Sequence, residues 1–453
     1  MIDEQTPMGE QTPIDEPTPP AGRDRLWRVF LLIWGGASIS MLGSRLTSFA
    51  LSVWIFERTG SVTFFGLAVL VFTLPGVLLA PFAGALADRW GQRRTLLLSN
   101  TGAAAATLAA VLLLLSRRLA PWHLFFILAA NSACDSFEEP AFLSAVTLLV
   151  SKRRLGRSSG MIQLSQAGAR IVAPVLAGAL LVKAGLPTIL LIDLASFLVA
   201  LAILWAVRLP AAPQAAGEKA APSLRREILA SWRYIRERPG LVRLVAFGSA
   251  GGFVMAMLEV LMLPLLLTLA SAAAAGAVSS AVGFGMLVGS LGMSVWGGPR
   301  RRVRGIYVFT LVQGAALILA GWRPNLTLVT AAFFLFAVSL PLADSCGQVL
   351  WQSKTPVAMQ GRIFAFRRFS MQVVAPLGIL LAGPLADRVF EPAFAPGGAL
   401  VASVGRVIGA GTGRGVAMLF VLMGVAILAL DAAAVSSPRL RRLEEELPDE
   451  IAE

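Results

Sequence analysis

Residues 61–94 read SVTFFGLAVLVFTLPGVLLAPFAGALADRWGQRR. No charged side chain occurs from Ser61 to Ala87, and at 1.5 Å per residue that run makes a helix of about 40 Å, longer than the hydrocarbon core of a bilayer. Lipid offers the backbone no hydrogen-bond partner, so such a run crosses as a helix that satisfies its own amides. It stops at Asp88 and Arg89, with Arg93 and Arg94 close behind. Clustered basic residues at a span end mark the side of the membrane that they occupy.

Apolar runs of this kind recur at about 27–56, 61–87, 92–115, 121–150, 157–184 and 186–208, and then at 240–269, 276–297, 303–322, 325–353, 360–386 and 408–435. The composition agrees: 56% of the 453 residues are hydrophobic, 14% are charged and the mean hydropathy is +0.74, against about 25% charge in a soluble domain. The expected fold class is all-α integral membrane, twelve transmembrane helices in two six-helix pseudo-symmetric halves. Of the 39 lysines and arginines, 29 fall on the side shared with the termini, eight on the other, and two, Arg45 and Arg170, within spans. That places both termini in the cytoplasm and the protein in the cytoplasmic (inner) membrane. The pI of 11.2 therefore reflects topology, and no nucleic-acid partner is expected.

The boundaries follow: a disordered cytoplasmic tail over 1–22, rich in acid and proline; a first bundle over 23–208; a cytoplasmic linker over 209–239; a second bundle over 240–437; and an acidic tail over 438–453. Within the linker Leu224, Ile228, Trp232 and Ile235 alternate with Arg225, Arg226, Arg233 and Arg236, the pattern of a basic amphipathic helix on the inner leaflet or of a solvated charged linker. An internal repeat supports two halves. Asp135-Ser136 recurs as Asp344-Ser345, Val172-Ala173-Pro174 as Val374-Ala375-Pro376, and Gly84 with Arg93-Arg94 as Gly292 with Arg301-Arg302. The residue inventory also excludes chemistry. Cys134 and Cys346 make no disulfide framework, His123 is the single histidine, and no GK dipeptide exists, so neither a metal site nor a P-loop is expected. The chain is read as not an enzyme and without a cofactor.

The stretch Gly84-x3-Asp88-Arg89-x-Gly91-x-Arg93-Arg94 resembles the loop 2–3 signature of the major facilitator superfamily. The resemblance implies a cytoplasmic latch in which Asp88 faces the start of helix 11, near Gln360-Gly361; a carboxylate is at home against a helix N-terminus and arginines. In the second-half copy Trp296 and Gly297 stand where the acid and base would be, so the latch is expected to be asymmetric. Helix 5 is similar to the superfamily's antiporter motif, keeping Gly160, Pro174 and Gly178 with alanine at 169, 173 and 177; tight packing alone explains the same residues. The run PAFLSAVTLLVSK, the WRYIRERPGL approach to helix 7 and the region from QVLWQSKTPVAMQG to GPLADRVFEP are similar to the branch that holds enterobactin exporters and macrolide efflux proteins. That branch implies efflux.

A charge at mid-bilayer costs at least about 2.5–3.5 kcal/mol, so the charged residues within spans are the candidate transport and proton-coupling residues: Arg45, Asp135, Glu138, Glu139, Arg170, Glu259 and Asp344. The resemblance implies a central cavity lined by helices 1, 4, 7 and 10, and each of the four carries such a charge. Asp135, Glu138 and Glu139, at i, i+3 and i+4, share a helix face; three carboxylates there cannot all ionise cheaply, so at least one is expected to exchange a proton near neutrality. Matching depth suggests that Arg170 pairs with a helix 4 carboxylate, for coupling or for structure, and that Arg45 faces Glu259 across the cavity or each finds its own partner. Asp193 is expected to support packing.

The functional expectation is a monomeric secondary transporter that exchanges protons for a hydrophobic or amphipathic compound such as a drug, macrolide or siderophore-like metabolite, by alternating access in the lipid bilayer, with the proton gradient as its energy source. An uptake symporter, a lipid or anion transporter, and a non-transporting sensor or partner subunit stand as alternatives.

Overall fold

The computed structural model describes residues 20–151, 154–207, 209, 232–355 and 357–436, without the side chains at 20–24, 77, 80–89, 357–362 and 365. The expectations for residues 1–19, for most of the 209–239 linker and for the acidic tail lie outside the described residues, as do those for the side chains of Gly84, Asp88 and Arg89.

The chain is built from long helices: α1 (Pro20–Thr59), α2 (Val62–Trp90), α3 (Gln92–Leu115) and α4 (Pro121–Leu149). The 52-residue helix Leu155–Ala206 breaks at Gly185, which sits at φ 76 and ψ 172, a conformation that a Cβ would strain. It therefore supplies two limbs, α5 (155–184) and α6 (186–206). Beyond the linker come α7 (Pro239–Leu269), α8 (Ala272–Trp296), α9 (Arg302–Trp322), α10 (Leu326–Ser353) and α11 (Val357–Pro384). The chain continues from α11 through a π-helical segment, Leu385–Phe390, and one turn, Glu391–Phe394, before α12 (Arg414–Val435). By length and composition nine helices among the described residues can cross a membrane, with Leu155–Ala206 counted once. The apolar stretch found in α2 is the shorter Val62–Gly76, and α4 is not among the nine.

Helix α1 packs on the α5–α6 arm, and α2 and α3 pack on α4. In the second half α7 packs on α11, α8 on α10, and α9 on both α10 and α12. The two sets meet where α5 touches α8 and α2 touches α11. Small residues make these crossings: a Cβ on Gly276 would strike the Pro174 carbonyl, one on Gly178 would come within 2.7 Å of the Ala272 carbonyl, and one on Gly383 would strike the backbone of Thr63. Close backbone approach is how helices associate in lipid. All three contacts lie in the half of the bundle opposite the termini, called here the opposite face; the end carrying the termini is the basic face.

Three boundaries differ from expectation. Helix α1 already begins at Pro20, inside the expected tail. Helix α12 begins at Arg414 rather than 408, and Arg414 is buried, its Nη1 donating to the Ile408 carbonyl at 3.5 Å. At the linker's end, 232–236 is helical, with Ile235 fully buried among Leu241, Ile306, Leu350 and Trp351. This last part of the expected membrane-surface helix thus packs on protein.

Candidate functional site

Arg45, Asp135, Arg170 and Glu259 interrupt apolar helices, yet all four side chains are exposed. Each lies 10–14 residues from the opposite-face end of its helix, a depth of about 15–21 Å. Arg45 lies near enough to Arg170, Asp135 and Glu259 for each of their charges to act on it. Arg45 and Glu259, from the two helix sets, lie near enough for their charges to act on one another.

The expected pairing of Arg170 with α4 is absent: among the described residues Arg170 makes no ion pair with Asp135, Glu138 or Glu139, and the basic group whose charge acts on Asp135 is Arg45. The physical reason is that α1 brings its own guanidinium to the same level. The three α4 acids also separate. Glu138 turns into a crevice of about 10 Å³ beside Ile33, Asn100, Phe142 and Leu204, Glu139 is exposed, and only Asp135 feels Arg45. Sharing one helix face still spreads i, i+3 and i+4 through about 100°, which is enough to give each acid different surroundings.

The second helix set holds a cavity of about 280 Å³ between α7, α9, α10, α11 and α12. Phe247, Phe336, Trp351 and Met371 wall it, Asp344 and Arg367 attract one another at its edge, and Arg367 also donates to Gln348 Oε1 at 3.0 Å. Gln313 lines the cavity with a buried Nε2 that has no partner, and Thr310, also in the lining, donates to Asp431 Oδ1 at 2.7 Å while Asp431 Oδ2 is unpartnered. Gln313 and Asp431 did not figure among the sequence candidates. Asp431 lies one turn from the end of α12, where a span boundary read from hydropathy is least sharp. Asp193, expected to serve packing, is buried and accepts from Ser44 and Thr107, each at 3.3 Å.

Of the loop 2–3 signature, Gly91 caps α3 at φ 83, and Arg93 donates to the carbonyls of Leu204 and Trp205 at 3.2 and 3.0 Å, holding the open C-terminal end of α6. Arg94 is exposed. Of the helix 5 residues, Pro174 and Gly178 meet α8, whereas a Cβ on Gly160 would have nothing within 4 Å. His123 accepts from its own helix's start, the Ala120 amide, at 3.0 Å.

Long apolar helices that carry charged side chains, two of them, Asp344 and Arg367, at a cavity between the helices, are the make-up of a membrane-transport protein. The Major Facilitator Superfamily model matches residues 33–379, and the chain belongs to that family as a multi-pass membrane transporter. It is 25% identical over 373 residues to macrolide efflux protein A of Streptococcus pyogenes, covering 80% of this chain and 91% of that protein. To the multidrug efflux pump Tap of Mycolicibacterium fortuitum it is 22% identical over 422 residues, covering 91% and 97%. Among solved structures, the nucleoside transporter NupG superposes with a TM-score of 0.67 at 13% identity, covering 89% of this chain and 99% of that one; this likeness concerns the fold.

Proposed function

We propose that the protein is a proton-coupled efflux transporter of hydrophobic or amphipathic small molecules, working by alternating access in the cytoplasmic membrane with the basic face toward the cytoplasm. The observation that carries this reading is that Arg45, in an exposed position, lies near enough to Asp135 of its own helix set and to Glu259 of the other for both charges to act on it. A proton on either carboxylate cancels its attraction to Arg45, so proton uptake and the relation between the helix sets share one group. The cavity supplies the other half of the exchange: aromatic walls for an apolar body, and the unpaired Gln313 amide in its lining for a polar substituent. Such a mixture of apolar surface and a few convergent polar groups is the usual make-up of a small-molecule site. The names of the efflux relatives support the direction of transport. The test is reconstitution into liposomes with an imposed pH gradient: an aromatic amphiphile should move against the proton flux, and collapse of the gradient by an ionophore should stop it. Transport indifferent to the gradient would refute the coupling.

The juxtaposition of Arg45 and Arg170 favours a second reading, transport of an anionic solute or lipid head group. Competition by anionic but not by neutral or cationic amphiphiles would select it.

A further inference from the structure

The loop 2–3 signature has a near-copy elsewhere in the chain. Ala83-Gly84-Ala85-Leu86-Ala87-Asp88-Arg89 recurs as Ala382-Gly383-Pro384-Leu385-Ala386-Asp387-Arg388, identical at all positions but the third. The first copy ends α2 at the basic face and the second follows α11 to the opposite face. These two helices run antiparallel and touch.

The second copy is engaged. Asp387 Oδ2 accepts from the Ser61 hydroxyl at 2.6 Å and from the Thr63 amide at 2.8 Å, and Oδ1 accepts from the Val62 amide at 3.0 Å. Those amides open α2, where a helix leaves N–H groups unpaired and presents its positive end, and bonds to a carboxylate are the strong kind. Beside them Gly383 lies against the Thr63 backbone, and Gly66 approaches the Ile379 carbonyl. Four residues on, Glu391 accepts from the Gly413 and Val416 amides at 3.1 and 3.0 Å, capping α12. The segment carrying Asp387 is therefore anchored in its own helix set while Asp387 grips the other.

We infer that Asp387 is the latch of the opposite-face gate, and that the paired helices α2 and α11 carry the same latch twice, one copy for each end. In the described state the Asp387 copy is closed. Opening that end requires the carboxylate to leave the start of α2. The inference rests on alternating access, and it assigns Asp387 a positioning role without any contact to substrate.

The test reads conformation without substrate, so it stays informative even if no transported compound is found. Full-length protein with Cys134→Ala and Cys346→Ala, spin-labelled at Arg118→Cys and Val407→Cys on the opposite face, is reconstituted in nanodiscs, and the interlabel distance distribution is recorded by pulsed electron resonance. Asp387→Asn should raise the ratio of long to short distances by about tenfold, the equivalent of one lost charge-assisted bond. Ser61→Ala should move it the same way by less, and Asp387→Glu should stay nearer the parent than Asp387→Asn. Asp88→Asn, at the other end, should lower the ratio. If Asp387→Asn does not yield a folded, monodisperse protein, the Ser61→Ala shift decides. An unchanged distribution in these Asp387 or Ser61 variants, or shifts of the same sign from Asp387→Asn and Asp88→Asn, would overturn the latch.

Discussion

The two helix sets place a carboxylate in comparable surroundings and finish the job differently. In α1–α6, Asp193 on α6 is bonded by Thr107 of α3 and by Ser44 of α1, and the neighbouring crevice has room for about 10 Å³. In α7–α12, Asp431 on α12 is bonded by Thr310 of α9, keeps one oxygen unpartnered, and lies beside a cavity of about 280 Å³. The acid of the first set is bonded from two other helices beside little free space, and that of the second keeps a free oxygen beside a hollow; unpartnered buried polar atoms occur in both sets, at Asn100 and Asn131 as at Gln313 and Asp431. On the proposed function the first set is the frame and the second the receptor, with Arg45 and Glu259, near enough for their charges to act on one another, between them.

That division can be broken at its joint first. Asp135→Asn should reduce gradient-driven transport by about 100-fold, since it strips Arg45 of a partner, whereas Glu138→Gln, in the filled crevice, should stay within about threefold of the parent in liposome flux. Equal losses from both would erase the distinction between the shared space and the frame. Next, Gly251 lines the hollow with no atom within 4 Å of its ideal Cβ. Gly251→Phe should weaken binding of an aromatic amphiphile by about 30-fold in a fluorescence titration without lowering the melting temperature. The contrasting change in the frame is Gly43→Ala, whose Cβ would come within 2.9 Å of Asp193 Oδ1. It should cost about 2 kcal/mol by overpacking and lower the melting temperature with binding affinity kept. The finest comparison is between the two threonines. Thr310→Val leaves Asp431 bare and should destabilise by about 1–3 kcal/mol, while Thr107→Val leaves Ser44 on Asp193 and should cost about 1 kcal/mol or less. Thermal denaturation in detergent would show them equal if the two sites were alike.

Much of this molecule was legible before any coordinates. Length and apolarity locate the helices, because lipid forces the backbone to satisfy itself, and the bases mark one face. Depth along a helix also follows from counting, which is why the sequence matches Arg170 with Asp135 and Arg45 with Glu259 in depth. Azimuth does not follow, and it decided the pairings: Arg45 rather than Arg170 stands with Asp135, and Glu138 turns away from the shared space. The cavity was invisible because it is made by what five helices leave unfilled. Asp387 is within reach of the sequence, since its heptapeptide repeats the loop 2–3 signature, but it lies just past the end of the 360–386 apolar run, where hydropathy gives no reason to single out an acid.

The opposite face has very little loop. Gly60 and Ser61 join α1 to α2, Gly185 alone divides α5 from α6, and Ala270 and Ser271 join α7 to α8. The exception is the stretch 395–413 before α12, pinned by the Gly411 amide on the Phe394 carbonyl at 3.0 Å. With the basic face toward the cytoplasm, as proposed, an antibody or peptide tag addressed to the outside of an intact cell has this segment as its principal handle, and whatever grips it would pull on the same strand of chain that ends at Glu391 and Asp387.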